Sequence, residues 1–79
     1  SKAPDVRHSV EYTLEELFAG MTKQISVTER LMNKRGPVSR QIEYPVKIPP
    51  GACDGTIIRI KNAGDQGPDQ LRGDRLFVI

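Results

Sequence analysis

The sequence has one cysteine, one histidine and no tryptophan. A lone Cys53 excludes an internal disulfide and any multi-cysteine zinc site. Two Phe and two Tyr are the only aromatic residues, so the core of this 79-residue chain must be thin and mostly aliphatic. A chain of this length suits one small domain, near the size at which stability becomes marginal. No apolar run approaches the ~18 residues of a membrane-spanning helix, and no secretory signal pattern opens the chain. A soluble, reducing compartment is therefore expected, the cytoplasm by default, with a nuclear pool open to it. An excess of one charge sign is lacking as well. Twelve basic residues face ten acidic ones, net +2, and they are spread along the chain, which gives no compositional argument for nucleic acid.

Catalytic and metal-binding patterns are missing too. His8 lies within an alternating stretch and Cys53 within a turn, and nothing in the sequence places them together. Asp65, Asp69 and Asp74 share one loop but lack the regular ligand positions of a calcium loop. Gly64-Asp-Gln-Gly has too few glycines to cradle a phosphate. No enzyme activity, metal or cofactor is expected.

What is present is strand patterning. Val6, His8, Val10 and Tyr12 alternate with polar neighbours and predict a half-buried strand. Thr13-Leu-Glu-Glu has the form of a capping box, with Tyr12 and Leu17 placed for a hydrophobic staple. A helix of barely two turns, Leu14 to Ala19, follows, and Gly20 is suited to end it in the left-handed conformation. So short a helix should need Leu14, Leu17 and Phe18 packed on a sheet. A second strand is predicted from Met21 to about Leu31, with Lys23, Ile25 and Val27 on one face. The turn residues Asn33 to Pro37 separate it from a third strand, Arg40 to Ile48. Pro45 has no amide hydrogen, so that strand needs an edge, a bulge or an outward-facing position there. Pro49-Pro50-Gly51 favours a type II turn, Thr56 to Lys61 a fourth strand, and Arg75 to Ile79 a fifth that is buried on both faces. The expected fold is mostly β: a small, antiparallel-rich, sandwich-like domain of about five strands, with one short helix between the first two. The chain stops within an apolar run, which reads as a boundary inside a longer protein.

The second strand carries neither proline nor inward charge from Gln24 to Thr28, so its edge is not blunted in the usual ways. An open edge of this kind can accept an extended peptide by β-augmentation. The alternative is a small nucleic-acid-binding β module. It lacks exposed aromatic platforms, since Tyr12, Phe18 and Phe77 all fall at positions the core would claim.

The ordered set of motifs adds a family. Asp5-Val-Arg-His-Ser-Val-Glu-Tyr-Thr-Leu-Glu-Glu-Leu-Phe-Ala-Gly20, Val46-Lys-Ile-Pro-Pro-Gly51 with Asp54-Gly-Thr and Ile58-Arg-Ile, Ala63-Gly-Asp-Gln-Gly67 and Gly73-Asp-Arg-Leu-Phe-Val-Ile79 resemble the C-terminal substrate-binding region of DnaJ-type J-domain co-chaperones. The resemblance covers nearly all of the chain. Type I members insert Cys-X-X-Cys-X-Gly-X-Gly zinc modules between the second and third strands. Here Met32 to Ser39 holds no cysteine, so the chain resembles the first C-terminal β domain of a type II member. The resemblance implies capture of unfolded polypeptide and of the acidic C-terminal tail of a DnaK-type chaperone, at a shallow apolar pocket beside the second strand. His8, Val10, Ile25, Val27 and Phe77 would line that pocket. Lys23 would sit at its rim, with Arg40 as a further contact to the acidic tail. Relatives often carry lysine where this chain has Gln24 and Ser26, which shifts that contact towards Arg40. The J domain, with its His-Pro-Asp motif, and the second β domain would lie outside residues 1–79. A fragment of this kind is expected to be monomeric and the full-length protein a homodimer.

Overall fold

The computed structural model describes residues 1–79. Five strands and one helix follow in the order β1 (Val6–Ser9), α1 (Leu14–Ala19), β2 (Met21–Asn33), β3 (Gly36–Ile48), β4 (Ile57–Ile60) and β5 (Arg75–Val78). They form two sheets. β2 and β3 make a long antiparallel hairpin, while β5 lies between a parallel β1 and an antiparallel β4. Thirteen residues at about 3.3 Å each carry the hairpin along most of the molecule's 46 Å length.

The hairpin runs further than the turn residues suggest. Its strands continue through Leu31↔Val38 and Met32↔Pro37 to Asn33↔Gly36, with only Lys34 and Arg35 in the turn. The Asn33 side chain accepts from the Arg35 amide at 2.8 Å, and Gly36 takes a φ of 110° that a side chain would disfavour. Two-residue turns of this kind keep the flanking strands in register. At the other end β1 is shorter than its alternation predicts. Val10 N–H still bonds the Val78 carbonyl at 2.8 Å, and the chain then turns towards the helix, leaving Tyr12 outside the strand.

The capping box is present. Thr13 Oγ1 accepts from the Glu16 amide, and Glu16 Oε1 accepts from the Thr13 amide. The helix docks by one side chain rather than three: Leu17 is buried, whereas Leu14 and Phe18 are 82% and 84% exposed. At 100° per residue, Leu14 and Phe18 share one side of a two-turn helix and Leu17 points about 100° away from Phe18, so this helix seats Leu17 alone. Gly20 ends α1 at φ 73°, ψ 154°. That is a glycine-only region but not the left-handed helical one, and a Cβ there would lie 2.7 Å from the Pro50 nitrogen. The Pro49–Ala52 turn closes with Ala52 N–H to Pro49 C=O at 3.2 Å and Gly51 at φ 76°, as the type II form requires.

The core lies between the sheets and comprises Val10, Leu17, Val27, Val46, Ile48, Phe77 and Ile79, flanked by partly buried Ile25, Ile42, Tyr44 and Ile58. β5 is central and buried on both faces, with Arg75, Leu76 and Phe77 each at most 1% exposed. No helix is long and apolar enough to cross a membrane.

Candidate peptide-docking site

Alternate residues of an antiparallel strand aim their N–H and C=O to opposite sides. Arg30 fixes which side is which on β2. Its N–H donates to Asp65 Oδ1 at 3.0 Å and its C=O accepts from the Gln66 amide at 2.8 Å, both from the loop between β4 and β5. Those groups therefore face away from β3. The register is unbroken from Met21↔Ile48 to Asn33↔Gly36, so Gln24, Ser26 and Thr28 share that orientation. Lys23, Ile25, Val27 and Glu29 spend their main-chain groups on β3. The backbone of Gln24, Ser26 and Thr28 has no partner beyond β3 in the fold, and the open stretch ends where the loop caps Arg30.

The same parity explains the prolines. Pro45 faces Gln24 and Pro37 faces Met32. Both occupy non-hydrogen-bonded pairs, where the missing amide would point off the outer edge of β3. That edge is therefore blunted by two prolines. The remaining edges, β1 and β4, are only four residues each. The outer edge of β2 is the one long edge without proline.

Around it, the residues expected to line a pocket fall into two groups. Val10, Val27 and Phe77 are buried in the core, with Phe77 wholly inaccessible. Lys23, Ile25 and His8 keep part of their surface. His8 stacks on Phe77 with ring centroids 5.4 Å apart, so the two come together through direct contact. The two candidate cations are engaged inside the domain. Lys23 Nζ lies 3.0 Å from Glu16 Oε1 and donates to the Glu11 carbonyl. Arg40 Nε donates to Glu29 Oε1 at 2.8 Å.

Glu29 and Arg75 were missing from the expected site. Glu29 is 1% exposed and accepts from Arg40, Arg72 and the Tyr44 hydroxyl. Burial pushes its carboxyl up, but the hydrogen bonds from Arg40 and Arg72 outweigh this and hold it below the usual value. Arg75 is fully buried beneath His8, its Nη1 2.7 Å from His8 Nε2 and its guanidinium 5.6 Å from the Tyr44 ring centroid. Neither residue belongs to the apolar stripe from which the site was read. A charged residue at an inward position was the available signal. A second buried carboxylate, Asp74, accepts from the Asn62 amide at 2.9 Å and pairs with Lys2 and Arg59. The Asn62 amide first, then Lys2 and Arg59, drive its pKa far below normal.

These two carboxylates set an acid limit on stability. Their folded pKa values lie below the unfolded ones, about 3.9 for Asp and 4.3 for Glu. Their stabilisation is thus complete above those values and is lost as pH falls towards the folded pKa. Urea midpoints should decline gently below about pH 6.5, where His8, its folded pKa lowered by burial and then by Arg75, is protonated first in the unfolded chain, and drop further below about 4 as the two carboxylates follow. Asp74→Asn should flatten the drop, and an unchanged slope in that variant would show that Asp74 does not carry it.

Residues 6–79 match the family described as DnaJ C terminal domain, and the chain belongs to that family. It is 33% identical over 78 residues to human DnaJ homolog subfamily B member 13, covering 96% of this chain and 25% of the relative. Chaperone protein DnaJ 2 of Thermus thermophilus is 33% identical, covering 99% and 23%. Curved DNA-binding protein of Serratia proteamaculans is 35% identical, covering 99% and 26%. The chain thus spans about a quarter of the length of the relatives it matches. Its family is one of chaperones and co-chaperones.

Proposed function

We propose that this domain binds extended peptide by β-augmentation on the outer edge of β2, taking both unfolded client segments and the acidic C-terminal tail of a DnaK-type chaperone. The reading rests on the unpaired main-chain groups of Gln24, Ser26 and Thr28. A peptide laid antiparallel or parallel there can satisfy up to six donors and acceptors, each hydrogen bond contributing about 0.5–1.5 kcal/mol net. Because backbone supplies the contacts, affinity is tolerant of sequence. Selection then falls to side chains beside the edge: His8, Ile25 and Lys23 at the surface, over Val10, Val27 and Phe77. An acidic tail would exchange Lys23 away from Glu16. That is an inexpensive step, since such surface pairs contribute about 0–1 kcal/mol. Weak, reversible capture suits a domain that must also release. No catalytic role enters this reading. In the longer protein, a J domain and a dimerisation segment would act beside it.

Nucleic-acid binding is the weaker reading, although one relative is named as a curved-DNA-binding protein. Phe18 is the only aromatic side chain left largely exposed, and single-strand readers stack several bases.

Ser26→Pro separates binding from folding. The Ser26 amide is not part of the β2–β3 ladder, so the variant should fold, as β3 does with Pro45. It should lose at least ten-fold in affinity for an extended peptide ending in Glu-Glu-Val-Asp. Native affinity in a folded Ser26→Pro domain would contradict the edge as the docking site.

A further inference from the structure

We propose that the docked peptide is a shared strand, hydrogen-bonded to β1 on one side and to β2 on the other; the inference rests on β2 being the docking edge. Successive residues of a strand aim their main-chain groups to opposite sides. On β1, Val6 N–H donates to the Asp74 carbonyl at 2.9 Å and Val10 N–H to the Val78 carbonyl at 2.8 Å. The register between them, Val6↔Arg75 to Ser9↔Val78, is unbroken, so His8 also spends its main chain on β5. Arg7 and Ser9 therefore face away from β5, and nothing else in the fold takes their N–H and C=O. β1 carries no proline, so this is a second open edge, limited only by its length.

The two open edges border one flank of the sandwich. Lys23 reaches from β2 to the Glu11 carbonyl just past β1. The Tyr44 hydroxyl, on β3, lies 3.4 Å from the Ala63 carbonyl just past β4. β1 thus lies over β2 and β4 over β3, each at the end of its own sheet. Both ends of the flank are closed, one by Lys23 with Glu11 and Glu16, the other by Arg30 with Asp65 and Gln66. Between those ends no ladder joins β1 to β2. Packed sheets lie about 10 Å apart and paired strands about 4.8 Å apart, so two such edges are separated by two strand spacings. One extended chain fills that gap and bonds both edges, as strands that pass between sheets close the corners of a sandwich. β1 ends where β2 begins, at the Glu11–Lys23 contact, so a peptide antiparallel to β2 runs parallel to β1. Alternate peptide residues would bond Gln24, Ser26 and Thr28, and the residues between them Arg7 and Ser9. A strand used on both sides needs a free amide at every position, which excludes proline throughout the docked segment rather than at every second residue.

The test leaves the protein unaltered and modifies the ligand. Four consecutive central residues of an extended peptide ending in Glu-Glu-Val-Asp are N-methylated one at a time, and each affinity is compared with that of the parent. A shared strand should lose at least ten-fold at all four positions. Amide exchange on the native domain gives the second readout: Arg7 and Ser9 should exchange rapidly when free and slow at peptide saturation, together with Gln24, Ser26 and Thr28. Losses at only two alternate positions would overturn the inference and leave a peptide bound to β2 alone. So would rapid exchange of Arg7 and Ser9 that persists at saturation while Gln24 to Thr28 are protected. If Gln24 to Thr28 are not protected either, the docking reading fails as a whole, and the shared strand with it.

Discussion

Phe77→Ala is expected to remove a large share of the domain's stability at 25 °C. Phe77 is wholly inaccessible, lies on the central strand β5, and joins the two sheets by contact with His8 on β1 and Tyr44 on β3, the Tyr44 ring centroid 6.1 Å away. Removing a buried phenyl ring costs about 3–5 kcal/mol, transfer and cavity together. A 79-residue domain has about 4–12 kcal/mol to lose, and with only four aromatic residues there is little nearby to collapse into the space. Phe18→Ala is the matched control. That ring is 84% exposed, so its loss should change stability by no more than about 0.5 kcal/mol. Urea denaturation followed by circular dichroism measures both. Equal losses in the two variants would contradict the placement of the core.

The second large effect is at Glu29. Glu29→Ala should destabilise the domain by about 3 kcal/mol, at the low end for breaking a buried ion pair, because both arginines keep some contact with water. The carboxylate holds Arg40 on the neighbouring strand, Arg72 from the loop before β5, and the Tyr44 hydroxyl. One side chain thus ties the hairpin to the loop that caps the edge of β2 at Arg30. The alanine variant should therefore free that loop as well as lower stability. Faster amide exchange at Gln66, whose N–H bonds the Arg30 carbonyl, would report it. A variant that keeps native stability would show that the pair contributes nothing net.

Sequence patterns carry the local elements of this fold well, because their causes are local. Thr13 and Glu16 form the cap within one turn of chain, and Pro50-Gly51 presets its own reversal. The period of two in Lys23-Gln-Ile-Ser-Val identifies the inward face of β2 before any partner is known. The parallel pairing of β1 with β5 depends on residues some 70 positions apart, and no short window contains it. The exposure of Leu14 and Phe18 was not legible either, since a two-turn helix can seat any of three apolar residues and tertiary contact decides which. At the site, the apolar stripe was readable but its charged neighbours were not. Arg75 sits in an otherwise apolar run, where its direction depends on the register of β5. Lys23 and Arg40 look available in sequence, yet find Glu16 and Glu29 in space. The orientation of Gln24, Ser26 and Thr28 became fixed only through the contact of Arg30 with a loop 35 residues away.

Amide hydrogen exchange across β2, read with and without a saturating extended peptide, tests the central claim most directly. In the free domain, Gln24, Ser26 and Thr28 should exchange rapidly while Ile25 and Val27, bonded into the ladder with β3, are protected. Peptide should slow the first three towards the rates of the other two and leave Ile25 and Val27 little changed. Protection of Gln24, Ser26 and Thr28 before any peptide is added, or rapid exchange that persists at saturation, would contradict β2 as the docking edge.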